Sequence, residues 1–151
     1  MRIEARTIEE LVQITAHLLD KEDFGGWLTL FDSDSLYELN AYSSEIRQHM
    51  SWWKSDRQAL EKIIDEIPKH VRDPARRLHI VSPPLLDESS EKAAGTSNFA
   101  IFRTSPDGET RLYVAGRYED VFVMRDGRWL YSSHRAVLHT RLLDAGTHVP
   151  L

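Results

Sequence analysis

Histidines and carboxylates are the side chains in this sequence best suited to chemistry near neutral pH. Imidazole changes charge there, and burial can move a carboxylate towards it. The chain carries seven histidines, His17, His49, His70, His79, His134, His139 and His148, and no cysteine. None forms a His-x-His pair or a His-Glu-x-x-His helix, so no local metal motif is present. His134 and His139 are five residues apart, which on one straight strand places them on opposite faces. An iron site of two histidines and one carboxylate assembled from distant positions stays open as an alternative. Without cysteine, the chain offers no thiolate to an iron–sulfur cluster, no disulfide and no cysteine nucleophile. Local spacing therefore assigns no catalytic, cofactor-binding or metal-ligating residue.

The elements that must position these groups are legible from periodicity. Thr7 and Glu10 form a capping box ahead of Ile8, Leu11, Val12, Thr15, Leu18 and Leu19, which recur at helical spacing. Phe24, Trp27, Leu28 and Phe31 predict a short second helix that Asp23 caps. Asp32 to Ser35 reads as a turn and Leu36 to Tyr42 as the first strand. A third helix starts at a second capping box, Ser55 to Gln58, and buries Ala59, Leu60, Ile63, Ile64 and Ile67, with Pro68 near its end. Arg77 to Ser82 is a strand stopped by Pro83-Pro84, and Leu86 to Ser97 is expected to be a hairpin tip. Three alternating runs follow, Ser97 to Thr104, Arg111 to Met124 and Trp129 to Thr140. They are joined by turns containing Asp107-Gly108 and Asp126-Gly127, the strongest short-range hairpin signal. Helices first and long strands afterwards predict an α+β cone, with about three helices in the hollow of a strongly curved, mostly antiparallel sheet. Gly95 and Gly116 are its candidate bend points.

At 151 residues the chain is expected to be one domain, residues 1–151, burying roughly 70% of the surface its unfolded form exposes. Net charge is −5 and the basic residues are dispersed, which disfavours nucleic acid as a partner. No apolar run approaches the ~20 residues that span a bilayer, and Met1-Arg2-Ile3-Glu4 lacks a signal-peptide core, so the cytoplasm is the expected location. Trp27, Phe99, Phe102, Phe122 and Trp129 lie on periodic faces and read as core. Trp52 and Trp53 are adjacent and cannot both point the same way. One is expected to pack on the third helix, the other to be an anchor for a partner subunit. Tyr113, Ala115, Phe122, Met124, Leu130 and Ala136 are expected to form a second apolar face. It lies opposite Leu112, Val114, Val121, Val123, Trp129 and Val137, unless a bulge exchanges the two.

The order of elements resembles the nuclear-transport-factor-type cone shared by ketosteroid isomerases, scytalone dehydratase and polyketide cyclases. Three groups of residues further resemble the small (β) subunit of Rieske non-haem iron aromatic-ring-hydroxylating oxygenases. They are Asp23 to Phe31 followed by the Tyr37 strand, Arg76 to Ile80, and Val114 to Asp120 with Asp126 to Leu130 and Arg135 to Leu138. Met50-Ser51-Trp52-Trp53 and Pro150-Leu151 look most similar to the branch acting on salicylate, terephthalate and related aromatic acids.

This resemblance implies a partner more than a chemistry. In that family the large (α) subunit holds the Rieske 2Fe-2S cluster and the mononuclear iron, and a separate reductase supplies electrons from NADH. The small subunit supports a mixed hexamer of three of each and associates with its own copies as a trimer. The competing implication comes from the isomerases, dehydratases and cyclases, which keep acids and bases inside the cone. His79, His134, Arg135, Tyr37, Asp32 and Asp34 are the candidates here, and a His79–Asp32 pair would abstract a proton beside a carbonyl. The plainer reading of His79 is a hydrogen-bonded strand residue, and of Asp32 and Asp34 turn and cap residues.

Overall fold

The computed structural model describes residues 4–70, 73–141 and 149–151. Helix α1 spans Ile8–Asp20, and its capping box forms as expected. Thr7 Oγ1 accepts the Glu10 amide at 3.1 Å, and the Glu10 carboxylate accepts the Thr7 amide at 3.4 Å. Helix α2, Phe24–Leu28, is capped by Asp23 but stops three residues early, because Phe31 already belongs to strand β1, Phe31–Ser43. The expected turn at Asp32 to Ser35 is instead an irregular stretch of that strand, where the register against its neighbour shifts between Phe31 and Leu36. Strand β2, Gln48–Asp56, pairs with β1 and was not anticipated. Helix α3, Arg57–Glu66, takes Asp56 rather than Ser55 as its cap: Asp56 Oδ1 accepts the Ala59 amide at 2.8 Å. Ser55 is buried, and its hydroxyl accepts the Trp53 indole N–H at 2.8 Å.

Strands β3 (Arg76–Val81), β4 (Leu85–Glu88), β5 (Lys92–Thr104), β6 (Thr110–Arg125) and β7 (Arg128–Leu138) complete one seven-stranded sheet. Its order is β2-β1-β7-β6-β5-β3, with β4 paired to β5 beyond β3. All pairings are antiparallel except β1 with β7, which is parallel. The β6–β7 turn places Asp126 and Gly127 at φ of 50° and 76°, the conformation for which an Asp-Gly pair is selected. Gly116 sits where β6 pairs with the end of β7, opposite Leu138. A Cβ there would lie 2.3 Å from the Val137 carbonyl oxygen, so only glycine lets the sheet bend this tightly.

The helices lie in the hollow of this sheet, α1 against β3 and α3 against β1. Among the described residues none of the helices is long and apolar enough to cross a membrane. One apolar cluster joins the helices to Phe31, Tyr37, Phe122, Trp129 and Tyr131; a second gathers Leu39, Phe99, Ile101, Tyr118, Leu138 and Leu151. The expected division of the β6 and β7 faces is corrected by two bulges. Between Ile101 and Phe102 the β6 partner jumps from Val114 to Leu112, and between Val121 and Phe122 the β7 partner jumps from Ser133 to Tyr131. The extra residue is Tyr113 on β6 in the first and Ser132 on β7 in the second, so each strand exchanges its faces there, and β6 alternates without a break from Val114 to Phe122. Phe122 and Ala136 are therefore core, whereas Val121 and Leu112 face outward, Leu112 at 57% exposure.

Candidate functional site

The hollow of the cone is lined by aromatic rings around a buried histidine. His134 on β7 lies directly across from Asp120 on β6, and Nδ1 is 2.6 Å from the Asp120 carboxylate with both side chains buried. With Nδ1 engaged by the carboxylate, the buried Nε2 has no partner among the described residues. Tyr131 and Tyr118 flank the ring at 4.5 and 4.7 Å, with Tyr37 and Phe31 at 5.9 and 6.0 Å. Burial pushes the Asp120 carboxyl upward, against the pull of His134 and of the Arg135 amide. Burial likewise raises the Tyr37, Tyr118 and Tyr131 phenols, so all three are neutral hydrogen-bonding groups.

A second pair stands nearer the mouth. His79 Nδ1 on β3 is 2.6 Å from Asp20 at the end of α1, and the same carboxylate accepts the His79 amide at 2.9 Å. His79 Nε2 is likewise buried with no partner among the described residues. A cleft of about 350 Å³ opens there, walled by Asp20, Asp73, Arg77, His79, Val149 and Pro150. Asp73 is held at a pKa of about 2, chiefly by the bidentate Arg103 guanidinium, whose Nη2 is 2.6 Å away.

The expected His79–Asp32 pair does not form. Asp32 lies at the start of β1, where its carboxylate takes Arg125 at 3.2 Å, while Asp34 is exposed. Arg135 is on the outer face, 3.3 Å from Glu119 and 3.9 Å from Glu38, because neighbours on a strand point to opposite sides and His134 points in. Of the candidates, Tyr37 and His134 share the interior and His79 stands beside the cleft, while Asp32 is buried at the start of β1 beside Arg125, Asp34 is exposed and Arg135 is on the outer face. Asp20 and Asp120 were missed. The signal for Asp120 is its place at even spacing between the inward Tyr118 and Phe122; Asp20, 59 positions from His79, left none.

The iron-bearing groups implied by the resemblance do not fit this chain. The sequence supplies no thiolate to hold a 2Fe-2S cluster. The described residues contain no cluster of three His, Asp or Glu side chains placed to share an ion; His148 lies outside them. No step through a metal is derived for this chain. The adjacent tryptophans point different ways. Trp53 turns inward, edge-on to Tyr37 at 5.3 Å, and Trp52 is the extra residue of a bulge in β2, 38% exposed.

The model of the SnoaL-like domain matches residues 2–135. The chain belongs to the SnoaL-like family. Within it, the chain is 33% identical to the methanesulfonate monooxygenase hydroxylase β subunit of Methylosulfonomonas methylovora, over 89% of this chain and 80% of that one. It is 29% identical to the 2-aminobenzenesulfonate 2,3-dioxygenase β subunit of an Alcaligenes species, over 96% and 97%. Among solved structures, the β subunit of a protein described as an aromatic-ring-hydroxylating dioxygenase from Novosphingobium aromaticivorans superposes with a TM-score of 0.79. That match has 23% identity and covers 88% of this chain and 87% of that one. Naphthalene 1,2-dioxygenase superposes at 0.72 with 17% identity, covering 89% and 78%. This SnoaL-like chain is thus related along its length to oxygenase β subunits, the components of oxidoreductases.

Proposed function

We propose that this SnoaL-like chain is the non-catalytic small subunit of a Rieske-type ring-hydroxylating oxygenase, supporting the assembly of an iron-bearing large subunit. The observation that carries this reading is the match to two β subunits at 29% and 33% identity, over 96% and 89% of this chain. The packed interior supports it: Trp27, Tyr37, Tyr131 and Leu151 are each no more than 1% exposed. The large subunit carries the 2Fe-2S cluster and the mononuclear iron, a separate reductase feeds it electrons from NADH, and the complex is cytoplasmic. Three small and three large chains assemble, with self-association of the small chains as a trimer. Trp52 is the proposed anchor, since its bulge aims an aromatic side chain away from the fold. Exposed Leu78, Ile80 and Leu112 on the outer face of the sheet support association.

The proposed substrate is an aromatic acid of the salicylate or terephthalate type. Relatives named for an aminobenzenesulfonate and for terephthalate, the latter 22% identical, support a ring bearing an acidic group. The test is to tag the chain in its native cells, grow them on an aromatic acid and weigh the intact complex. Recovery with an equal number of larger, iron-containing chains is expected; a lone monomer or homodimer would overturn the reading.

A further inference from the structure

The outer face of the sheet differs at its two edges, and the differences are complementary. At one edge a groove of about 540 Å³ runs beside β4 over β5, β6 and β7. Strand register shapes it. Asp87, Ala94, Val121 and Ser133 form one row across those strands, and Leu85, Thr96, Glu119 and Arg135 form the next. Ala94, Thr96 and Ser133 make a low floor, while Leu85 stands 82% exposed at the side. Glu119 and Arg135 pair at 3.3 Å, so the charge left over is negative. Asp87 and Glu88 have no ion-pair partner among the described residues, and with Glu91 they outnumber Lys92 on this hairpin.

At the other edge the β1–β2 hairpin presents aromatic rings and a cation. Tyr42 and His49 are cross-strand partners with ring centroids 5.3 Å apart, and Tyr42 is exposed. Trp52 projects from its bulge, and Ile46 is exposed at the tip. Glu45 meets Arg141 at 3.7 Å, whereas Arg47 has no ion-pair partner among the described residues. The bulge also keeps β2 from pairing edge to edge with a second β2. A hairpin of this chemistry suits an acidic groove with an apolar floor. The exposed corner of Leu78, Ile80 and Leu112 suits it less, since Arg76 shares that strand face. The spans also agree. Arg47 and Trp52 are five residues apart on an extended strand, about 17 Å. Glu88 and Arg135 are three strands and three residues apart across the groove, also about 17 Å.

We propose that the β1–β2 hairpin of one copy seats in the groove beside β4 of the next. Arg47 meets Asp87 and Glu88, the Tyr42 and His49 rings cover Ala94 and Val121, and Trp52 lies over the Arg135 guanidinium. The rings supply apolar burial, and the charges fix direction and register. Hairpin and groove are different surfaces at opposite edges, so the contact runs head to tail and closes as a ring. In a ring of three every hairpin and every groove is filled. This rests on the subunit role proposed above and names the surfaces through which its small chains join.

The chain has no cysteine, so introduced thiols report contacts between copies without background. Ile46 adjoins Arg47 and Ser89 adjoins Glu88, and both are exposed, so replacing them spares the fold and the contact itself. The test tags the full chain carrying Ile46→Cys with Ser89→Cys and captures it from its native cells with whatever copurifies. The sample is then treated with a short bis-maleimide, and the denatured products are weighed. Covalent dimers and trimers of the small chain are expected, at least tenfold above either single variant. Ile46→Cys with Leu78→Cys, which moves the second thiol to the other apolar corner, should stay at the single-variant level. Absence of links in the first pair would overturn the proposal, as would equal linking through Leu78→Cys. Links in a single variant at the level of the pair would reveal like-with-like contact and overturn it too. The same sample separates this outcome from the subunit reading. Larger iron-containing chains recovered beside unlinked small chains would overturn the ring alone. Linked small chains without any larger chain would uphold the ring and overturn the subunit role.

Discussion

Replacing Asp120 with alanine tests whether the deepest polar pair is a structural element or a reactive one. The carboxylate removed lies 2.6 Å from His134 Nδ1, and the two side chains are 2% and 1% exposed. Its loss strands a buried imidazole N–H and the Arg135 amide among aromatic rings where no water reaches them. Removing one member of a buried pair costs about 3–5 kcal/mol, a large part of a domain's ~5–15 kcal/mol. For a chain of this length that corresponds to a fall in Tm of roughly 6–20 °C. Changing both partners, Asp120→Leu with His134→Leu, leaves no orphaned group and should recover at least half of the loss. The assay is urea unfolding of both variants, with turnover measured per assembled iron in the reconstituted oxygenase. Structural residues should leave that turnover within a few-fold of wild type. A destabilisation below ~1 kcal/mol for Asp120→Ala would refute the paired geometry. A thousandfold loss of turnover at unchanged stability and assembly would refute the non-catalytic role.

Asp73, held at about 2 by Arg103, makes stability depend on pH. Its folded value is depressed, so its contribution of about 2 kcal/mol is present above the ordinary 3.8 and is lost as pH falls towards 2. Asp73→Asn should therefore be less stable than wild type at pH 6 and equal to it below pH ~2, by chemical denaturation at each pH. Gly116→Ala should cost more than the ~1 kcal/mol of an ordinary strand glycine, because the new Cβ meets a carbonyl at 2.3 Å; a Tm within 2 °C of wild type would contradict this, where about 2 °C is less than that penalty shifts a domain this size. Trp52→Glu should leave the unfolding midpoint unchanged while weakening the native-mass complex, and unchanged assembly would remove Trp52 as an anchor. His79→Ala is expected to keep turnover per assembled iron within a few-fold of wild type, read in the same reconstituted assay.

The first helix and the final meander were readable because their signals are local. The Thr7–Glu10 box and the Asp126-Gly127 turn act over three or four residues, and the structure realises both. Strand β2 was not readable: its bulge at Trp52 interrupts the alternation that would have announced it, and its partner lies across a hairpin. The choice of Asp56 over Ser55 as cap followed from tertiary packing, which turned the Ser55 hydroxyl inward to Trp53. The site was legible only in part. His79, His134 and Tyr37 are near the interior, yet the predicted partner Asp32 binds Arg125, because carboxylate partners are chosen by strand register and helix docking.

By itself the sequence determined the kinds of element, their order, the two tight turns and the absence of thiol chemistry, since these follow from residue type and short-range spacing. Tertiary structure alone decided the parallel pairing of β1 with β7, the faces presented beyond each bulge and the carboxylates that hold His79 and His134. It also decided that Leu151 fills the cone and meets the Tyr37 hydroxyl, 114 positions away in the chain. The physical reason is one of range. Propensity and turn chemistry act within a few residues, whereas a register shift of one position turns every later side chain to the other face, and only the packed sheet settles where such shifts occur.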